Sequence, residues 1–208
     1  MGKYIFEGHN LLVSGAKKQG KTAFMKHCIS NVLEDHLADD VIICIFDTKC
    51  SGEYDEFEFS GKVRIFKSLE ELFHASLWLL LMLLSPEKQL NPQVYLFIDE
   101  YAELVTGKYR RYAKLRQAVL TLARSGRDKG IIVTLATDQI NSKVLTEDLI
   151  NCFTQRVCFR VDKKEESELI FPNHNAGAEY LMGNGEMMAQ FDRNSPPIFT
   201  RVNIATLP

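Results

Sequence analysis

None of the five cysteines (Cys28, Cys44, Cys50, Cys152, Cys158) stands in a C-x-x-C spacing, and an odd count cannot form a fully paired disulfide framework. They read as small buried hydrophobes of a reducing cytoplasm. An excess of charge of one sign is also lacking. Lys plus Arg number 25 against 27 Asp plus Glu, a formal net charge of -2, so no global positive field marks a nucleic-acid binder and any polyanion contact must be local. The longest apolar run, Leu77 to Leu84, falls far short of the ~20 residues needed to span a bilayer and reads as a buried helix. The N-terminus has no signal-peptide h-region, and Phe6 stands where a myristoylation signal needs Ser or Thr. Any membrane association is therefore expected to come from segments outside this chain. The five histidines show no metal-ligand spacing, so a metal other than Mg²⁺ is not expected.

What is present is the composition of one globular domain spanning residues 1–208, with 46% hydrophobic and 25% charged residues. Short β-branched and apolar runs (11–14, 41–46, 94–98, 131–136, 156–161) alternate with helical patterns near 22–33, 69–84, 109–124 and 143–151. That alternation predicts an α/β fold, a mainly parallel sheet with helices on both faces. Two further runs, 186–191 and 198–204, flank Asp192-Arg193-Asn194-Ser195-Pro196-Pro197 and predict a terminal antiparallel hairpin.

The first strand runs into Gly15-Ala16-Lys17-Lys18-Gln19-Gly20-Lys21-Thr22, with Ala23 following. This satisfies G-x-x-x-x-G-K-[ST] in the strand-loop-helix setting that a phosphate cradle requires. Gly15 and Gly20 let the backbone curl so that successive N–H groups face a β-phosphate, and the helix N-terminus adds its positive end. Lys21 is expected to neutralise β- and γ-oxygens of ATP, and Thr22 to offer its hydroxyl to Mg²⁺. Farther along, an apolar strand ends in Asp99-Glu100. Period two sends the carboxylates to opposite sides of the strand end, so Asp99 fits a Mg²⁺ partner and Glu100 a base for the attacking water. Thr137, Asp138 and Gln139 close the next core strand, where a γ-phosphate sensor would sit. Arg124, Arg127 and Arg156 remain open as groups for transition-state charge, and Lys108, Arg110, Arg111, Lys114 and Arg116 form a basic cluster.

Several strings taken together resemble the FtsK/SpoIIIE family of DNA-translocating ATPases, within the HerA/FtsK superfamily. They are Asn10 to Gly15, Phe46-Asp47-Thr48-Lys49, Ile98 to Leu104, Ala123 to Ile131 and Leu135-Ala136-Thr137, with Gly177-Ala178-Glu179-Tyr180-Leu181-Met182-Gly183-Asn184-Gly185-Glu186-Met187 matching the family's G-A-E-x-L-L-G-x-G-D-M. The resemblance implies a RecA-like P-loop motor domain without membrane anchor, upstream domain or winged-helix reader. It also implies a hexameric ring that threads double-stranded DNA and completes each ATP site with a neighbour's arginine. Arg156 falls on the family's finger position and Arg127 is second choice; Lys108, Arg110, Arg111 and Lys143 become DNA contacts on channel loops. The chain departs from the family's A-T-Q-R-P in Ala136-Thr137-Asp138-Gln139-Ile140, and has Lys18 where the family has glycine. Related ATPases of type VII secretion or conjugation share the core and diverge at such positions, so an ATPase acting on protein, or an ATP-dependent assembly module, stays beside the DNA motor.

Overall fold

In the computed structural model, residues 8–37, 40–87, 90–107, 110–183 and 185–202 are described. The strands are β1 (Leu11–Ser14), β2 (Val41–Asp47), β3 (Val63–Phe66), β4 (Gln93–Asp99), β5 (Ile131–Thr137), β6 (Gln155–Phe159), β7 (Glu186–Gln190) and β8 (Ile198–Arg201). They form one sheet in the order β3-β2-β4-β5-β1-β6-β7-β8. Strands β3 to β6 in that order are mutually parallel, while β6, β7 and β8 pair antiparallel. The helices are α1 (Lys21–Asp35), α2 (Leu69–Leu83), α3 (Ala102–Thr106), α4 (Arg110–Ser125), α5 (Glu147–Ile150) and α6 (Lys164–Ile170).

Parallel strands covered on both faces need apolar side chains in both phases of the pleat. In β1, Leu12 enters one core while Leu11 and Val13 enter the other; in β2, Cys44 and Phe46 oppose Ile43 and Ile45. Helix α1 closes one face with Phe24, Met25, Cys28 and Ile29. Helices α2 to α6 close the opposite face, where α2 contributes Leu72, Ala75 and Leu79 and α4 contributes Leu115, Val119 and Leu122. This two-sided burial brings all six parallel strands to a common carboxyl edge, the edge at which open α/β sheets bind ligands.

The predicted strands and terminal hairpin are present; residue 204, the expected hairpin end, and Tyr109 lie outside the described residues. Two expectations are corrected, and three elements are added. The helix expected over 143–151 is confined to α5, because Asn141 Oδ1 accepts the N–H groups of Lys143 and Val144 and holds that stretch in a turn. Strand β3 and helices α3 and α6, four to seven residues long, are elements that the sequence pattern does not predict. Finally, the apolar run of α2 is buried on one side only: Leu79 is fully covered, whereas Leu81 is 66% and Leu84 79% exposed. Among the described residues, no helix is long and apolar enough to cross a membrane.

Candidate functional site: a phosphate loop facing a strand-end carboxylate pair

Strand β1 ends at Ser14, and the next residues bend sharply. Gly15 has φ 144, and a Cβ there would lie 2.7 Å from Phe159 Cβ at the end of β6, so only glycine fits. The Ala16 N–H donates to the Arg160 carbonyl (2.8 Å), tying the loop to the chain beyond β6. Lys18 adopts φ 61. The resembled family's glycine at this position therefore corresponds to a left-handed residue, which costs an L side chain about 1–2 kcal/mol. Gly20 caps α1 with φ 107 and no side-chain bond, and the helix begins directly with Lys21, Thr22 and Ala23. The first-turn N–H groups are thus left for a ligand rather than for a capping side chain.

Lys21 is buried and donates to the Gly15 and Ala16 carbonyls, both at 2.8 Å. Burial lowers its pKa, opposed by the charges of Glu100, Asp138 and Asp99. Across the cleft, the Thr22 hydroxyl lies 3.5 Å from Asp99 Oδ2. Burial pushes the Asp99 carboxyl up, with Tyr54 and Lys49 opposing. The Tyr54 phenol, fully buried, is raised well above its ordinary value by burial and then by Asp99, and its hydroxyl makes no hydrogen bond of ordinary geometry. Among the described residues no group of three or more His, Cys, Asp or Glu side chains could hold a metal alone. The Thr22 and Asp99 oxygens instead suit a hard cation that keeps waters and takes its remaining ligands from phosphates.

Glu100 is 2% exposed and leaves β4 at φ 58, a left-handed conformation rare for a residue with a side chain. Its Oε1 accepts from the Thr137 hydroxyl (3.1 Å) and the Asp138 N–H (3.0 Å). Its Oε2 accepts from the Asp138 N–H (3.2 Å) and from Lys49 Nζ (3.1 Å). Lys49 and Lys17 each stand 3.9 Å from Asp138 Oδ2. Partial burial works against the Lys49 charge, but Glu100 outweighs it and raises the pKa. Thr137 thus lies at the site, spent on Glu100. The Asp138 carboxylate answers two lysines, which accounts for an acid at this position. The importance of Asp138's backbone N–H and of Lys49 was not signalled by residue type; only the string Phe46 to Lys49 pointed toward that turn. The Gly177–Met187 segment also reaches the loop, since a Cβ on Gly183 would lie 2.7 Å from Gln19 Oε1.

The other candidates fall elsewhere. Arg156 is corrected outright as a finger. It is 2% exposed, and its guanidinium donates to the carbonyls of Phe153 (3.1 Å), Ile170 (2.7 Å) and Ile150 (3.3 Å). Burial, aided by the Arg193 charge, lowers its pKa to about 10. It ties α5, α6 and the start of β6 together, and its burial with three of five N–H donors engaged keeps it from the surface that a neighbour's phosphate would meet. Arg127 lies in the short turn before β5 and meets His9 Nδ1 at 3.2 Å. With Asn10, Arg124, Asp128, Asp148 and Cys152 it lines a cavity of 450 Å³. That cavity opens at the amino edge of the sheet, where its lining residue Asn10 precedes β1, about 16 Å from Gly15 along that strand. Lys143 is exposed on the turn after β5. Lys108 and the side chains of Arg110 and Arg111 lie outside the described residues.

The sheet order, the loop between β1 and α1 and the paired carboxylates after β4 define the fold of a P-loop nucleoside triphosphatase. Similarity to known proteins narrows the class. DNA translocase FtsK of Chlamydia muridarum is 33% identical over 103 residues, half of this chain and 12% of that protein. Conjugation coupling protein TcpA of pCW3, solved with ATPγS, superposes with a TM-score of 0.80 at 18% identity, covering 93% of this chain and 60% of that one. The genome packaging NTPase B204 of Sulfolobus turreted icosahedral virus 2, solved with ATPγS, gives 0.67 at 17% identity and covers 95% and 98%. No protein-family model matches the chain. The chain is thus similar to FtsK over half its length, and it shares its fold with TcpA and B204.

Proposed function

We propose that this domain binds ATP with Mg²⁺ in the cradle of Gly15 to Ala23, hydrolyses it with Glu100 as base, and uses the turnover to move double-stranded DNA through a homo-oligomeric ring. The observation that carries the reading is the convergence of Lys21, Thr22, Asp99 and Glu100, from two strands separated by β5, on one carboxyl edge. Lys21 leaves the loop carbonyls to offset β- and γ-phosphate charge, while backbone N–H groups of the loop and of the α1 N-terminus hold the phosphates. Thr22 and Asp99 would hold Mg²⁺, which would supply charge neutralisation of the phosphates. Glu100 orients a water for in-line attack on the γ-phosphorus and accepts its proton as the bond to the β-γ bridging oxygen breaks, leaving ADP and inorganic phosphate.

Arg127 stands too far from its own loop to serve it, so its charge reaches a γ-phosphate only from an adjacent subunit. A hexamer, as the FtsK resemblance implies, would bring the amino edge of one sheet to the carboxyl edge of the next. Lys143, with Lys108, Arg110 and Arg111, would line the channel and meet phosphates rather than bases. Membrane association, if any, would come from segments outside this chain. A second reading is favoured by the Asp138 carboxylate, which occupies the sensor position with two lysines, and by the likeness to TcpA. In that reading the same ATP chemistry drives a conjugation or secretion substrate.

ATP hydrolysis with and without duplex DNA at low salt tests the proposal. Several-fold stimulation by DNA is the expected result. Turnover indifferent to DNA moves the domain to the second reading.

A further inference from the structure

The turn that follows β2 is built more firmly than a connection requires. The Asp47 carboxylate accepts from the Ser51 hydroxyl (3.2 Å to each oxygen) and the Gly52 N–H (3.1 Å), and the Cys50 N–H donates to the Asp47 carbonyl (3.1 Å). Between these anchors, the Thr48 hydroxyl donates to the carbonyls of Asp99 (2.6 Å) and Glu100 (3.0 Å). Thr48 therefore grips the backbone of Glu100 where φ is left-handed, and Lys49, the next residue, grips its carboxylate. Two consecutive residues of one turn thus fix both ends of Glu100.

The donors to that carboxylate differ in kind. The Thr137 hydroxyl and the Asp138 N–H belong to the end of β5 and move only with the sheet. Lys49 sits on a flexible stem, is 44% exposed, and is the charged member of the set. The charged groups facing Glu100 are Lys49 from the β2 turn, Asp138 from the end of β5, Lys21 from the phosphate loop and neighbouring Asp99. Two of them are carboxylates that would push Glu100 away, and Lys49 stands between Glu100 and Asp138, 3.1 and 3.9 Å from them.

We propose that Lys49 is a positioning residue for hydrolysis, holding the Glu100 carboxylate against the end of β5 so that the base faces the γ-phosphate side of the cradle. The inference rests on the reading of Glu100 as the base. Lys49 acts through Glu100, so its loss should matter only while Glu100 is there to be placed. A charge-assisted bond is stronger and more directional than a neutral one, and a misplaced base loses most of its 10²–10⁴-fold contribution.

The test is a double-mutant cycle on the full chain, with single-turnover rates followed long enough to quantify slow variants. Lys49→Met should lower kcat about 10-fold or more with KM for ATP within about twofold, and Lys49→Arg should recover most of the loss. In a Glu100→Gln background, Lys49→Met should produce no further loss. Thermal midpoints of all variants are measured alongside, and Lys49→Gln, which keeps a neutral donor, is read in the same way if Lys49→Met does not fold. Parental turnover in Lys49→Met, or an equal fractional loss with and without Glu100, overturns the inference while leaving the base assignment intact. Parental turnover in Glu100→Gln overturns the base assignment and this inference with it.

Discussion

The Thr22 hydroxyl and Asp99 Oδ2 stand 3.5 Å apart although 77 residues separate them in the chain. The contact exists because β1 and β4 flank β5 in a parallel sheet, so a helix start and a strand end meet at the same edge. Replacing Lys21 next to Thr22 by Ala should weaken ATP binding roughly 10-fold or more, since phosphate oxygens lose a partly desolvated charge. Titration calorimetry checks this, and unchanged affinity would argue against the cradle.

Arg156→Ala should lower stability rather than impair an interface. The substitution strips donors from three buried carbonyls and leaves a cavity, a cost of about 3 kcal/mol or more. Urea unfolding is the measurement. A variant as stable as the parent, whose activity returns on mixing with Glu100→Gln subunits, would restore Arg156 as a finger.

Arg127→Ala is expected to bind ATP with parental affinity and to hydrolyse it about 10³-fold more slowly, the scale of a donated arginine. Mixing it with Glu100→Gln subunits should regenerate interfaces that hold both intact groups. Absence of recovery in mixtures shown by native mass spectrometry to contain both subunits would remove Arg127 from the neighbour's site.

Neutralising Lys108, Arg110, Arg111 and Lys143 together should weaken duplex DNA binding at all sequences alike. The slope of log affinity against log salt should flatten by about 0.9 for each phosphate that these side chains neutralise in the parent. Fluorescence anisotropy across a salt series reads the slope, and parallel lines for parent and variant would take these residues off the DNA path.

Much of the site is written in local sequence. The phosphate loop needs particular residues at fixed spacing, because its geometry is backbone-made and only glycine tolerates the approach of Phe159 to Gly15. The buried strands are legible for a similar reason, their apolar character being continuous. What escapes is set by topology. Lys49 acquires its role because β2 lies beside β4, and Asp138 contributes an amide that any residue carries. Arg156 shows the converse: its position at a strand start resembles a finger, but the packing of α5 and α6 over β6 surrounds it with carbonyls and buries it. Residue type and order do not reveal which of two arginines faces inward.

Glu100→Gln tests the central claim most directly. The substitution keeps the side chain's size and its acceptor for Thr137 and the Asp138 N–H while removing the proton acceptor. ATP affinity measured by calorimetry should remain within about twofold of the parent, and single-turnover phosphate release should slow by roughly 10²-fold or more. Phosphate release at the parental rate, with ATP bound as tightly as before, would contradict hydrolysis through Glu100 at this site.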